Sequence, residues 1–226
     1  MKRIKLSERV LPFYTKGEEI FNMVSHIVGG GLGVVAVVLC VVFAALRGDI
    51  YGVISGAIYG ATMIVLYTMS SIYHGLNPEL LAKKVFQVID HCAIFLLIAG
   101  TYTPFSLCAL REQNVALGWL IFGIIWGCAA LGITLNALDL ERYKKFSMIC
   151  YLAMGWCIIF AIKPTFLSIG WGGMALLVGG GVLYSIGAVI YGMGKHKRYA
   201  HSVFHLFVVF GSVLHFLSIL FFVILK

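Results

Sequence analysis

The chain has 226 residues, of which 61% are apolar and only 12% are charged, and its mean hydropathy is +0.99. Soluble domains run at about 45–50% apolar and about 25% charged, so this composition excludes a freely soluble globular domain. The net charge of +8 sits in short clusters between apolar runs, and no stretch combines basic and aromatic residues in a soluble domain that could hold RNA or DNA.

Crossing about 30 Å of hydrocarbon takes about 20 apolar residues in helical form. Seven runs meet that length, at about 21–46, 50–73, 86–110, 115–138, 146–163, 170–193 and 200–225. Backbone polar groups in lipid must find partners within their own segment, so each run predicts a helix. The expected fold is an all-α integral membrane protein, a seven-helix bundle over residues 19–226 behind a segment at 1–18. The first run is too long for a signal-peptide core and shows no small-x-small cleavage site, so it reads as a retained helix. It carries Gly29 and Gly33, and the second run carries Gly52, Gly56 and Gly60 at four-residue steps. Small residues at such spacing let membrane helices approach closely. The third run contains Pro104, which predicts a kink that frees the Gly100 carbonyl. The fifth is the shortest, bracketed by Lys144, Lys145 and Lys163, and the sixth is dense in glycine. No strand precedes those glycines and no GK[ST] follows them, which argues for packing and against a phosphate loop. All six cysteines fall inside the runs, with spacings that fit neither a disulfide framework nor a CxxC metal site.

Orientation follows from Lys and Arg in the connections. With the N-terminus in the cytoplasm, the inner segments hold thirteen: Lys2, Arg3, Lys5, Arg9, Lys16, Lys83, Lys84, Arg142, Lys144, Lys145, Lys195, Lys197 and Arg198. The outer segments hold four, Arg47, Arg111, Lys163 and Lys226. That bias predicts the N-terminus inside and the C-terminus outside, with the basic clusters against anionic lipid heads.

Ionisable groups inside membrane spans are expensive and mark function. The second run ends "YTMSSIYHG", with Ser70 and His74 one turn apart; the third opens "FQVIDHCAIF", with Asp90 and His91. The seventh opens "YAHSVFHLF", with His201 and His205, and the first opens "EEIFNMVSH", with Glu19, Asn22 and His26. By the predicted topology all these ends lie in the inner leaflet. Residues four apart on a helix share a face, so His201 and His205 can reach one ion, and His74 supplies a third imidazole at that depth. Zinc takes three protein nitrogens and keeps a fourth position for water, whose pKa it lowers to about 7. Asp90 is placed to accept a proton from that water, and Ser70 to bind a developing oxyanion or orient the water. His26, His91 and His215 read as packing residues, His215 lying about 15 Å deeper than His205. His196 reads as a solvated loop residue. Glu19 and Asn22 fit two roles, lining the cytoplasmic mouth or capping the first helix.

The motifs "SSIYH", "DHCAIFLLIAGTYTPF", "YLAMGW" and "HSVFHLFVVFGSVLHF" together resemble the bacterial hemolysin III family. That family belongs to the superfamily of progestin and adiponectin receptors, distantly related to alkaline ceramidases. The resemblance runs from "EEIFNMVSHIVGGGLG" to near the end of the chain. It implies a seven-helix bundle with a cytoplasmic N-terminus in the bacterial cytoplasmic membrane. It also implies zinc on His74, His201 and His205, with Ser70 and Asp90 at the reacting water.

The expected function is a zinc-dependent hydrolase of lipid amide or ester bonds, acting on membrane lipids and involved in membrane lipid homeostasis. A receptor or membrane-state sensor with a structural zinc is the alternative; it needs the histidines but has little use for Ser70 or Asp90. A hemolysin-like pore or transporter fits less well, because transporters place ionisable groups near the midplane and break their helices there.

Overall fold

The computed structural model describes residues 6–193 and 197–226. His196, expected as a solvated loop residue, lies outside the described residues, as do the charges Lys2, Arg3, Lys5 and Lys195. The described residues are mainly helical, with no strand among them.

Helix α1 (Lys16–Leu46) starts at a capping box, in which the Thr15 hydroxyl accepts from the Glu18 N–H and the Glu18 carboxylate accepts from the Thr15 N–H. Helices α2 (Ile50–Gly75) and α3 (Leu81–Pro104) follow. Beyond Pro104 the chain winds on as a π-helical turn over Phe105–Leu110 and a short turn at Arg111–Gln113. The expected kink is thus absorbed as a widened turn: proline offers no N–H to the Gly100 carbonyl, and the helix re-registers to keep its other bonds. Helix α4 (Val115–Gly155), a 3-10 turn at Cys157–Ala161 and helix α5 (Ile162–Met193) come next. Helix α6 (Ala200–Ile219) ends in a π turn at Leu220–Ile224.

Five helical stretches are long and apolar enough to cross a membrane, and the fourth of them, Val115–Met193, runs for 79 residues. It is not one rod. Asp139 leaves helical geometry at φ −160°, ψ 91°, and its carboxylate accepts from the Arg142 N–H, so it caps the helix that follows. Across it the Ser147 hydroxyl donates to Asn136 Oδ1 at 2.6 Å, whereas a straight helix would hold the two about 16 Å apart. A second reversal falls at Gly170, whose φ of 63° suits glycine. Across it the Trp156 indole donates to the Ser185 hydroxyl at 3.0 Å. The expected connections at 139–145 and 164–169 are therefore mostly helical. One residue outside helical geometry is enough to reverse the chain at each place, and Pro164 sits in the first turn of α5, where its missing N–H is harmless.

Contacts sort the helix ends into two groups. At one end the starts of α1, α3 and α6 meet the end of α2 through Glu19–His74, Glu19–Lys83 and His74–His201. At the other, Arg47 donates to the carbonyls of Leu225 and Lys226, and the Arg111 guanidinium lies 3.6 Å from the centre of the Tyr51 ring. The two ends of the described chain accordingly lie at opposite ends of the bundle.

The pattern of side chains is that of a bundle in an apolar solvent. α1 buries Asn22, His26, Gly29, Gly33, Ala36, Cys40 and Ala44 at steps of three and four. It exposes Val24, Val28, Val35, Val38 and Val42. Small and polar residues face inward because only close packing and hydrogen bonding, not hydrophobic burial, hold helices together in lipid. At Gly60 the approach is backbone to backbone: an added Cβ would stand 2.7 Å from the backbone nitrogen of Val37. All six cysteines are free thiols.

Gly60→Ala should therefore destabilise the bundle by about 1–3 kcal/mol. Gly127→Ala, which meets nothing within 4 Å, should stabilise it slightly, by about 0.5–1 kcal/mol. Thermal unfolding midpoints in detergent check the opposite signs.

Candidate metal centre

Three imidazoles from two distant helices meet at the end where the N-terminal segment lies. His201 Nε2 stands 3.4 Å from His74 Nε2 and 3.0 Å from His205 Nε2. The ligating nitrogens of all three lie within 4.8 Å of one another. A tetrahedral zinc with Zn–N bonds of about 2.0–2.1 Å needs nitrogen pairs about 3.3 Å apart, so the spacing fits one shared ion. The i, i+4 step on α6 brings the first two rings together, and the last turn of α2 brings His74. His74 and His205 are buried.

The tautomer of His74 is fixed. Its Nδ1–H donates to Glu19 Oε2 at 2.6 Å, because a carboxylate oxygen only accepts. Nε2 is left with its lone pair aimed at the other two rings, the donor state a metal requires. A carboxylate behind a ligating histidine is the usual outer shell of such sites; it orients the ring and raises its basicity. The other oxygen of Glu19 accepts from Lys83 Nζ at 2.7 Å, and Lys83 also donates to the Leu76 carbonyl at 2.9 Å. Lys83 is only 2% exposed, so part of the expected cytoplasmic charge is a buried partner instead. The capping box belongs to Thr15 and Glu18; Glu19 points the other way, into the site. Asn22 Nδ2 stands 3.5 Å from His74 Nδ1, and since both are donors in this tautomer the contact is not a hydrogen bond.

The N-terminal segment covers the cluster. The Tyr14 ring stacks on His201 at 4.9 Å and meets His74 edge-on at 5.7 Å. Burial holds its phenol well above the usual range, so it stays neutral against the rings. Glu18 Oε1 accepts from the Tyr199 N–H at 2.7 Å, which ties this segment to the start of α6.

Ser70 and Asp90 do not touch the centre through hydrogen bonds among the described residues. Both line a cavity of about 350 Å³ that His201 and His205 also line. The Ser70 hydroxyl is buried without a partner. Asp90 Oδ2 comes no nearer than 3.8 Å to His91 Nδ1, which donates instead to the Gln87 carbonyl at 2.8 Å. His26 stacks on His205 with ring centres 3.7 Å apart, and neither of its nitrogens has a partner. His215 lies ten residues beyond His205 on α6 and lines the same cavity.

A family model described as "Haemolysin-III related" matches residues 14–216. The chain belongs to this family. It is 39% identical over 208 residues to "Hemolysin-3" of Bacillus cereus, covering 92% of each chain. To the "Hemolysin-3 homolog" of Bacillus subtilis it is 37% identical over 209 residues, 92% of this chain and 96% of the relative. It is also 26% identical over 185 residues to the human "Monocyte to macrophage differentiation factor", covering 77% and 72% of the two chains. This family member is accordingly a membrane protein, with a three-histidine group that could hold a metal ion.

Sequence reasoning named the three histidines from their spacing and depth. It had Glu19 in view but no signal to say which way it pointed, and it missed Tyr14 and Lys83. An acid one helix away and at the depth of a candidate ligand is the pattern that would have found Glu19. The brace can be tested directly. Glu19→Gln, which keeps the shape and removes the charge, should weaken zinc affinity by about 10–100-fold, as read by chelator competition. His201→Ala/His205→Ala should purify without stoichiometric metal, as read by elemental analysis.

Proposed function

We propose that this protein is a zinc-dependent hydrolase of lipid amide or ester bonds. Its bundle would cross the cell's cytoplasmic membrane seven times with the N-terminus inside. The observation that carries the reading is one cavity with two characters. His201, His205, Ser70 and Asp90 line one part of it, and Leu97, Ile98, Phe105, Ile158, Leu177 and Val178 line the rest. A bound zinc supplies a Lewis acid for a carbonyl oxygen and lowers the pKa of water to about 7; His74, His201 and His205 would hold it.

The remaining roles belong to the chain. Asp90 accepts a proton at its carboxylate, which no described residue occupies by a hydrogen bond. Ser70, with its Oγ unpartnered, donates to the substrate oxygen as charge develops there. The apolar wall takes the acyl chain and keeps bulk water away. Glu19 holds His74 in its ligand tautomer. The seven-crossing reading is supported by the reversals at Asp139 and Gly170, and the orientation by the bias of Lys and Arg toward the histidine end. One inner charge, Lys83, is paired and buried, and the bias stands without it.

A second reading, a sensor with a structural metal, has its own support: Glu19, His74, Lys83 and His201 tie α1, α2, α3 and α6 at one point. Lysis, the activity in the relatives' names, fits least, since an ion path needs a polar lining and this cavity is mainly apolar.

Acyl amides and esters supplied to purified protein should release fatty acid. Asp90→Ala should slow release by about 10²–10⁴-fold, the range for a general base, and a chelator should abolish it. Release indifferent to both changes would overturn the hydrolase reading, and a phenotype that needs His74 but not Asp90 would favour the sensor. For topology, a reporter fused after Lys226 should be active only on the outer side.

A further inference from the structure

The histidine cluster accounts for one end of the cavity. The other end carries a second set of polar groups that no step above uses. His215 is buried, lines the cavity, and donates from Nε2–H to the Leu177 carbonyl at 3.0 Å. A carbonyl only accepts, so the proton of this ring sits on Nε2. Nδ1 then carries a lone pair, and it is buried with no partner. The ring has no freedom to turn away, because it is seated against Gly180: a Cβ there would stand 2.2 Å from His215 Cδ2. Part of the glycine density of α5 is thus the space for this one side chain.

Tyr184, whose ring centre is 5.3 Å from that of His215, lines the cavity beside it. Its hydroxyl lies 2.7 Å from Ser212 Oγ, which lies 2.6 Å from the Tyr67 hydroxyl. Tyr67 in turn donates to the Val208 carbonyl at 3.4 Å. This row of hydroxyls is anchored at its far end and open at Tyr184. Leu177, Val178, Ile158 and Phe105 line the same cavity. A buried acceptor without a donor, held rigidly in an apolar wall, suits one kind of group.

We propose that His215 Nδ1 and the Tyr184 hydroxyl form a subsite for a hydroxyl group carried part-way along the acyl chain of a bound lipid. A hydroxyl donates its one proton to His215 Nδ1 and then accepts from the Tyr184 hydroxyl, whose proton turns to it from Ser212. The distance sets where on the chain that hydroxyl must sit. His215 lies ten residues beyond His205, about 15 Å along α6, so a lipid with its carbonyl at the histidine cluster presents mid-chain carbons at His215. The protein would then select hydroxylated acyl chains over plain ones. This selection rests on the reading of the cavity as a lipid site and adds to it the chemistry of the chain.

The test compares stearic acid with the same chain bearing a hydroxyl near its middle. Each displaces a fluorescent fatty acid from the full-length protein in detergent. The hydroxylated chain should bind about five- to tenfold more tightly, the worth of one hydrogen bond. His215→Leu should abolish the preference, and Tyr184→Phe should reduce it while preserving the packing. Moving the hydroxyl toward the carboxylate should lose the advantage. If both chains bind equally to the wild-type protein, the subsite holds only water or nothing, and the inference falls while the lipid reading stands. If neither chain binds, both fall. A preference unchanged in Tyr184→Phe and His215→Leu would show the hydroxyl to be read elsewhere. Should His215→Leu fail to fold, the wild-type comparison and Tyr184→Phe still decide.

Discussion

The arrangement depends on a single carboxylate. Glu19 lies one turn into α1, and each of its oxygens has one partner, His74 on α2 and Lys83 on α3. His74 then faces His201 on α6. In lipid, helices gain nothing from burying apolar surface against one another, so polar contacts and close approach decide which faces meet. A half-buried carboxylate between a buried ammonium and a buried imidazole is a demanding contact. It is tolerable only with every partner present, and removing one leaves a charge stranded. That requirement fixes the register of four helix ends, and the geometry of the three imidazoles follows from it.

The parts of this structure that were legible in the sequence are those set by a period or a length. Apolar runs of about 20 residues announced the helices. The four-residue step announced that His201 and His205 share a face. Glycines at four-residue steps announced close approach between helices, which Gly60 against Val37 now embodies. What stayed hidden was set by direction. Glu18 and Glu19 are neighbours in sequence, yet one closes a capping box and the other braces His74, and only a rotation of about 100° around the helix separates them. Lys83 read as one more cytoplasmic charge because nothing local says that it turns inward. Tyr14 carried no signal, since its contact with His201 spans almost the whole chain. The reversals at Asp139 and Gly170 fall at the edges of the expected connections, but a loop was expected where a single cap residue or a positive-φ glycine does the work.

The cavity inherits its two characters from the same elements. α6 contributes a ligand face at its start and His215 ten residues on, while α3 contributes Asp90 near its start and the π turn at Phe105–Leu110 at its end. Widened turns arise where a helix must place side chains that regular geometry would not, and Phe105 lines the cavity at this point. Pro104 thus shapes the deep wall without breaking the helix that carries Asp90. The coupling between the polar mouth and the apolar interior is therefore mechanical as well as chemical, through two continuous helices.

Whether a metal held by the three histidines would serve structure or reaction turns on the fourth position. Structural zinc sites are closed by four protein ligands, whereas catalytic sites keep one place open. Among the described residues the group comprises three histidines. The carboxylate beside them, Glu19, has one oxygen on His74 Nδ1 and the other on Lys83, so it is committed to bracing and is not a free fourth ligand. Tyr14 covers the cluster with a neutral ring stacked on His201, a contact that shields without ligating. The groups left without hydrogen bonds, Ser70 and Asp90, line the cavity that His201 and His205 share. A purely structural ion would leave the Ser70 hydroxyl buried and unpaired at a cost and for no return. In the proposed hydrolase a reacting water and a substrate oxygen would give both groups a partner, which is the ground for proposing it over a simple staple.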